Sequence, residues 1–118
     1  HEVVLFNHAR KSGQLARPEG IPVLDNGQAD LAAAIAFIAS GETVVTNSYH
    51  GTFWAMCLGR RVLSVPFSDK FRQFRENPVF ADPQDWPQML ARAEARPGTL
   101  EDARARNLAF YDKVRNLD

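Results

Sequence analysis

A polar cluster of six residues, Asn47-Ser48-Tyr49-His50-Gly51-Thr52, follows the β-branched run Thr43 to Thr46 and precedes an apolar block. Gly51 would stand in the first turn of a helix, where a better helix former would give more stability. A glycine there lets a ligand approach the backbone, and the free amides and helix dipole favour an anion. His50 would supply a proton donor or acceptor beside that anion. These residue types indicate acid-base chemistry on a phosphate or carboxylate, with His50 as the candidate catalytic residue.

A second polar group, Ser68-Asp69-Lys70, follows the next predicted strand. Ligands of open parallel sheets bind at the carboxyl ends of the strands. Consecutive strands joined by one helix are expected to be neighbours, because the crossover between them is right-handed. We therefore predict that His50 and Lys70 face one crevice, where Lys70 would neutralise the anion. The other candidate binding residues are Asn47, Ser48, Gly51 and Thr52.

Each of these residues also has an ordinary structural explanation. Ser48 stands where an N-cap belongs, and its hydroxyl could simply accept from the backbone of His50 or Gly51. A lone histidine is often a hydrogen-bonded structural residue. Lys70 could be a solvated lysine that opens a surface helix. The sequence alone leaves both explanations open.

Other kinds of site are not supported by the spacing. The three histidines, His1, His8 and His50, show no HxxH or HExxH pattern, so no metal site is expected. Ser48 and His50 lack the G-x-S-x-G elbow of a hydrolase, and neither glycine-rich phosphate fingerprint is present. The single cysteine, Cys57, lies in the apolar block and is expected to be a small buried hydrophobe.

The composition limits the partners. Lys plus Arg and Asp plus Glu both number 14 among 118 residues, so no net charge attracts nucleic acid or an anionic membrane. No segment has the roughly 18 apolar residues of a membrane span. One cysteine excludes an internal disulfide and suits a reducing compartment. The chain opens at His1, directly before a strand-like segment, and we expect it to be a piece of a longer protein.

The elements that must position these residues alternate between strands and helices. Strands are predicted at Glu2–Asn7, Ile21–Asp25, Thr43–Thr46 and Val62–Phe67, with an edge strand in Pro78–Ala81. Helices are predicted at Ala29–Ala39, Tyr49–Leu58 and Asp69–Arg75, and after Asp82 and Thr99. The second of these helices is apolar nearly all round and is expected to be buried. The alternation predicts one α/β domain over 1–118, a Rossmann-like three-layer sandwich with a mostly parallel sheet.

The segment VVTNSYHGTFWAMCLGRRVLSVPFSDKFRQF resembles the signature of the polysaccharide pyruvyl transferase family. In that signature a strand ends in a polar S-[FY]-H-G-T cluster, a buried helix ends in L-G, and a further strand leads to a lysine. The resemblance is specific over Asp25 to Phe74. Members of the family have a fold similar to GT-B glycosyltransferases, with two Rossmann-like lobes facing a cleft. This chain resembles the carboxyl-terminal lobe, so the resemblance implies that an amino-terminal lobe completes the protein.

The resemblance implies transfer of pyruvate, as a ketal, from phosphoenolpyruvate to hydroxyls of a saccharide or lipid-linked saccharide in exopolysaccharide or cell-surface glycan synthesis. His50 matches the family's histidine, and Lys70 would be a countercharge. Other branches of the family have an arginine two residues before the histidine, where this chain has Ser48. No cofactor is implied, since phosphoenolpyruvate is the donor substrate. The implied location is the cytoplasm or the inner face of the membrane.

Two other functions remain open at this point. A GT-B-like glycosyltransferase would use the same cleft for a nucleotide-sugar donor and would need a carboxylate placed to bind the ribose. A non-catalytic glycan-binding lobe is the alternative outside the enzymes, and a chain that holds half of a cleft would behave in this way.

Overall fold

A single parallel sheet organises the chain. The computed structural model describes residues 1–8 and 15–106, apart from the side chain of Asp69. The strands in these ranges are Val3–Asn7 (β1), Val23–Asp25 (β2), Thr43–Thr46 (β3), Arg61–Ser64 (β4) and Val79–Phe80 (β5). Their order is β2-β1-β3-β4-β5, and every pairing is parallel. The predicted Rossmann-like α/β fold is confirmed, including the neighbouring positions of β3 and β4.

The central strands are buried on both faces. In β1, Val4 and Phe6 belong to the core on one face, whereas Leu5 belongs to the core on the other. Val44 and Val45 of β3 divide between the two cores in the same way. Strands covered on both faces tolerate unbroken apolar runs, because neither face meets water. This explains why these strands lack the polar-apolar alternation of a half-exposed sheet.

Two helices cover the first face. They are Leu31–Ala39 (α1) and Tyr49–Cys57 (α2), and Ala34, Ile38, Ala55 and Met56 bring their apolar sides into the same core. The expectation that α2 is buried holds for Gly51, Thr52, Ala55 and Met56 but not for the whole helix. His50 is exposed, and Trp54 is half-buried. The helix lies on the sheet surface, so its outer side stays partly exposed, although Trp54 still packs against the core beside Phe6.

The second face is covered by short segments of 3-10 helix and loop. Trp86 begins the 3-10 helix Trp86–Arg92, is fully buried, and donates its indole N–H to the carbonyl of Ala16 over 2.9 Å. This segment and Asp69–Arg72 were predicted as α-helices, but both are 3-10. Neither Ser68 nor Asp85, the residues at the two N-cap positions, accepts a capping hydrogen bond from its helix. Without a cap, a short helix tightens into i to i+3 bonds.

Several predicted boundaries shift by a few residues. The fourth strand runs from Arg61 to Ser64, so it starts earlier and ends earlier than expected. The predicted edge strand is present as the two-residue β5. Residues 99–106 are helical, as the Thr99 signal predicts. Among residues 1–8 and 15–106, no helix combines the length and the apolar character needed to cross a membrane.

The strand order has a reversal point between β1 and β3. The chain passes from β1 to β2 on one side and then returns past β1 to β3. Helices α1 and α2 pack on one face, whereas Leu15, from the connection between β1 and β2, packs on the other. In doubly wound sheets the connections diverge in this way at a switch point, which leaves a crevice outside the carboxyl ends of the two strands.

Candidate functional site

A cleft lies at the switch point. It encloses about 290 Å³ between the carboxyl end of β1 and the first turns of α1 and α2. Its polar lining residues are His8, Asn26, Asp30, Ser48 and His50, and its apolar lining residues are Phe6, Ala29, Leu31, Ala34 and Trp54. The cleft thus combines two imidazoles and one carboxylate with an apolar floor, which is the usual composition of a small-ligand site.

The start of α2 forms one wall of the cleft. The hydroxyl of Ser48 accepts the amide N–H of Gly51 over 3.0 Å, which confirms the predicted N-cap. The amides of Tyr49 and His50, the first two of the helix, have no intrahelical acceptor. The helix dipole adds partial positive charge at this point. A phosphate or carboxylate in the cleft would therefore be stabilised at this helix start.

Gly51 is required by packing. A Cβ at this position would lie 2.6 Å from Cδ2 of Phe6 and 2.8 Å from Oγ1 of Thr46. Gly51 is buried and faces the sheet, and its amide is already bound by Ser48. The absence of a side chain therefore lets α2 lie close to β1 and β3. Packing is therefore enough to account for this glycine, without the ligand approach that the sequence suggested.

Two further candidate binding residues lie behind the cleft instead of lining it. Thr52 is fully buried, and its hydroxyl donates to the carbonyl of Ser48 over 2.8 Å and pairs with the hydroxyl of Ser64 at 2.9 Å. Asn47 is 2 % exposed, and its Oδ1 accepts the amide N–H of His8 over 2.6 Å. These side chains fix the start of α2 and the end of β1 relative to the sheet.

Unpartnered polar atoms gather at the ends of β1 and β3. Among the described residues, Oδ1 of Asn7, Nδ1 of His8 and Nδ2 of Asn47 are buried without a hydrogen-bond partner. The side-chain Nδ2 of Asn7 donates to Oδ1 of Asp25 over 2.6 Å, and Asp25 also pairs with Arg17 at 3.1 Å. An unpaired buried polar atom is costly, and such atoms are rare in the bulk of a fold. Three of the four such atoms among the described residues lie here, and the fourth, Nε of Arg60, lies at the opposite edge of the sheet.

Lys70 and His50 lie beyond the same edge of the sheet, but they do not share the cleft. Nζ of Lys70 is 4.5 Å from the centroid of the Tyr49 ring, and the His50 ring meets the same ring edge-on at 5.8 Å. Tyr49 in turn stacks on Phe74 with centroids 4.8 Å apart. Lys70 is exposed and is not part of the cleft lining. The predicted common edge is correct, and one aromatic residue contacts both side chains.

The cleft also contains residues that the sequence interpretation did not select. His8 follows β1 directly, just as Asn47 follows β3. The position of His8 at the end of a strand could have marked it as a candidate site residue. That inference also needs the pairing of β1 with β3, which the sequence does not show. Asp30 caps α1 by accepting the amide of Ala33 over 2.8 Å, and its carboxylate also lines the cleft. Trp54 lies with its ring 5.7 Å from that of His50.

Other polar features do not join this site. A larger hollow of about 420 Å³ lies at Arg75, Thr99 and Asp102, where Asp102 pairs with Arg75 at 2.9 Å and with Arg106 at 2.6 Å. Its charges therefore neutralise one another. Burial raises the pKa of the Cys57 thiol, so the thiolate is disfavoured. Within the described ranges, no group of three or more His, Cys, Asp or Glu side chains could hold a metal ion.

Arg60 and Arg61 lie at the opposite edge of the sheet. Arg61 pairs in register with Thr43 at the amino ends of β4 and β3. Arg60 donates to the carbonyl of Ala39 over 2.9 Å, and Arg61 donates to the carbonyl of Ala93 over 3.0 Å. Both guanidinium groups thus donate to backbone carbonyls far from the cleft.

Three comparisons with known proteins complete the description of the site. No family model, no curated protein and no solved structure matched this chain.

Proposed function

We propose that this chain is the carboxyl-terminal portion of a polysaccharide pyruvyl transferase. The reaction would transfer pyruvate as a ketal from phosphoenolpyruvate to hydroxyls of a saccharide or lipid-linked saccharide. One observation carries the proposal: the start of α2, with His50 as its second residue, opens onto the cleft at the switch point. Phosphoenolpyruvate has a phosphate and a carboxylate, and both are groups that a helix start stabilises.

His50 is the proposed catalytic residue. Its side chain is exposed at the cleft, and its ring is held between Tyr49 at 5.8 Å and Trp54 at 5.7 Å. An imidazole at a helix start can donate a proton to a departing phosphate that the same helix binds. Lys70 would supply positive charge from the far side of Tyr49, 4.5 Å from its ring.

The remaining predicted binding residues have supporting roles in this proposal. Ser48 lines the cleft and caps the helix, so the first two amides stay directed toward the ligand. Asn47, Gly51 and Thr52 act behind the cleft, where they fix the position of α2 on the sheet. The acceptor saccharide would enter from the open side, with an amino-terminal lobe completing the contacts.

A GT-B-like glycosyltransferase is the second candidate function. The sequence offered no carboxylate to bind the ribose of a nucleotide sugar, but the carboxylate of Asp30 lines the cleft. One of its oxygens is engaged in capping α1, and the other would be available to a hydroxyl. Titration of the full-length protein with phosphoenolpyruvate and with nucleotide sugars separates the two functions, since each predicts binding of one class only.

The direct test is His50→Ala in the full-length protein. Loss of a general acid-base residue typically lowers turnover by about 10²- to 10⁴-fold, and we expect phosphate release from phosphoenolpyruvate to fall by that amount. Stability should change little, because His50 is exposed. His1→Ala, at the amino edge of the sheet, is the control and should keep full activity. A thermolabile His50→Ala protein with normal turnover per folded molecule would contradict the assignment.

A further inference from the structure

Ketal formation from phosphoenolpyruvate requires two separate proton transfers. Two C–O bonds form between carbon 2 of the donor and two sugar hydroxyls, and the bond from carbon 2 to the phosphate oxygen breaks. Carbon 3 gains one proton and becomes a methyl group. One hydroxyl proton thus ends on carbon 3 and the other on the departing phosphate, so atoms and charge balance. A site that performs both transfers needs acid-base groups at two positions.

The cleft presents a second imidazole in addition to His50. His8 lines the same cleft from the carboxyl end of β1, across the switch point from the start of α2. Asn47 holds its backbone amide over 2.6 Å, and its ring meets Phe67 at 5.9 Å between centroids. Its Nδ1 is screened from solvent and has no partner among the described residues. The backbone of His8 is therefore fixed in position, while Nδ1 of its ring forms no structural hydrogen bond within the described chain.

We propose that His8 is the second acid-base residue of the reaction, an inference that rests on the proposed function. His50 lies on the helix start that stabilises the phosphate, so it supplies the proton that leaves with the phosphate and regains one from the second attacking hydroxyl. His8 lies at the end of the neighbouring strand, takes the proton of the first attacking hydroxyl, and delivers a proton to carbon 3. Asn47 is the positioning residue, because it ties the backbone of His8 to the end of β3.

Few charged groups of the described chain surround this pair. Asp30 faces the cleft from α1, and the Asp25–Arg17 ion pair lies at the end of β2, where Asp25 binds Asn7. The ion pair neutralises itself, and Asp30 is the one carboxylate of the cleft lining. The two imidazoles are therefore the groups of this lining suited to both donating and accepting a proton.

The first experiment compares His8→Gln and His50→Gln with His1→Gln in the full-length protein. We expect kcat to fall about 10²- to 10⁴-fold in each of the first two variants, with the KM for phosphoenolpyruvate changed by less than about threefold. His1→Gln makes the same substitution at the opposite sheet edge and should leave kcat unchanged. Normal turnover of His8→Gln would overturn the inference.

Deuterium exchange separates the two roles. In D₂O with acceptor present, addition of the first hydroxyl to carbon 2 places a deuterium on carbon 3. If the phosphate of this adduct cannot leave, the addition reverses, and phosphoenolpyruvate is released with deuterium in its methylene group. His50→Gln should therefore keep or increase this exchange, whereas His8→Gln should lose it together with phosphate release. The reverse pattern, with exchange kept by His8→Gln and lost by His50→Gln, would overturn the assignment of roles.

A binding measurement on the wild-type protein keeps the inference testable if a variant does not fold. Addition of phosphoenolpyruvate should move the imidazole NMR signals of His8 and His50 and leave that of His1 in place. A shift of the His50 signal without any shift of the His8 signal would overturn the inference alone. Wild-type protein that neither binds phosphoenolpyruvate nor releases phosphate from it would overturn the proposed function, and His8 would lose its role with it.

Discussion

Side-chain direction separates the residues of the polar cluster into two groups. Ser48 and His50 reach the cleft, whereas Asn47, Gly51 and Thr52 face the interior of the protein. The sequence identified the cap and the catalytic candidate, because both follow from their positions at the start of a helix. It could not tell which way the other side chains point, since that depends on how α2 is rotated on the sheet. The close contact of Gly51 with β1 and β3 fixes this rotation.

Gly51→Ala tests that contact. The new methyl group would overlap Phe6 and Thr46, and overpacking typically costs about 1–3 kcal/mol. The gain in helix propensity, up to about 1 kcal/mol, offsets part of this cost. We expect the free energy of unfolding to fall by about 1–2 kcal/mol in a urea titration. Gly27→Ala is the matched control, because nothing lies within 4 Å of its Cβ position, and equal stability of the two variants would refute the packing explanation.

At the scale of elements, local signals predicted the types of most segments. The β-branched runs gave β1 and β3, and Ser48 marked the start of α2. Apolar spacing gave α1, although its predicted start at Ala29 precedes the observed start at Leu31. The failures concern Asp69–Arg72 and Trp86–Arg92, which are predicted as α-helices but form 3-10 turns. In each segment one large apolar side chain is fully buried, Phe71 in the first and Trp86 in the second. Tertiary anchoring and the absence of N-caps together account for the conformation of these segments.

Trp86 is expected to hold the second face of the sheet together. Trp86→Ala removes a fully buried indole and its hydrogen bond to Ala16, and such truncations typically cost about 3–5 kcal/mol. Trp86→Phe keeps most of the apolar contact but leaves the Ala16 carbonyl without this donor, so we expect a loss of about 1–3 kcal/mol. Urea unfolding of both variants measures the difference. If the free energy of unfolding fell no more for Trp86→Ala than for Trp86→Phe, neighbouring side chains would have filled the space left by the indole, which would contradict this expectation.

For the whole molecule, the strand order determines which residues form the site. The right-handed crossover rule predicted that β3 and β4 are neighbours, and this directed attention to Lys70. The pairing of β1 with β3 joins segments about forty residues apart, for which the sequence carries no local signal. That pairing places His8 beside the cleft with His50, while Lys70 stays outside it. The sequence thus identified polar residues able to form a site, but the strand order determined which of them lie together in the cleft.

The location of the ligand at one edge of the sheet can be measured by hydrogen-deuterium exchange. Exchange of a backbone amide reports the local opening of the structure, which a bound ligand suppresses. With phosphoenolpyruvate at ten times its Kd, we expect up to about tenfold slower exchange in peptides that cover residues 46–52, at the carboxyl edge. Peptides that cover residues 40–43 and 59–61 lie at the amino edge of the same strands and serve as the internal control. Both sets of peptides belong to β3 and β4 and differ only in which end of these strands they cover. Slower exchange at the amino edge alone would therefore place the ligand away from the switch point.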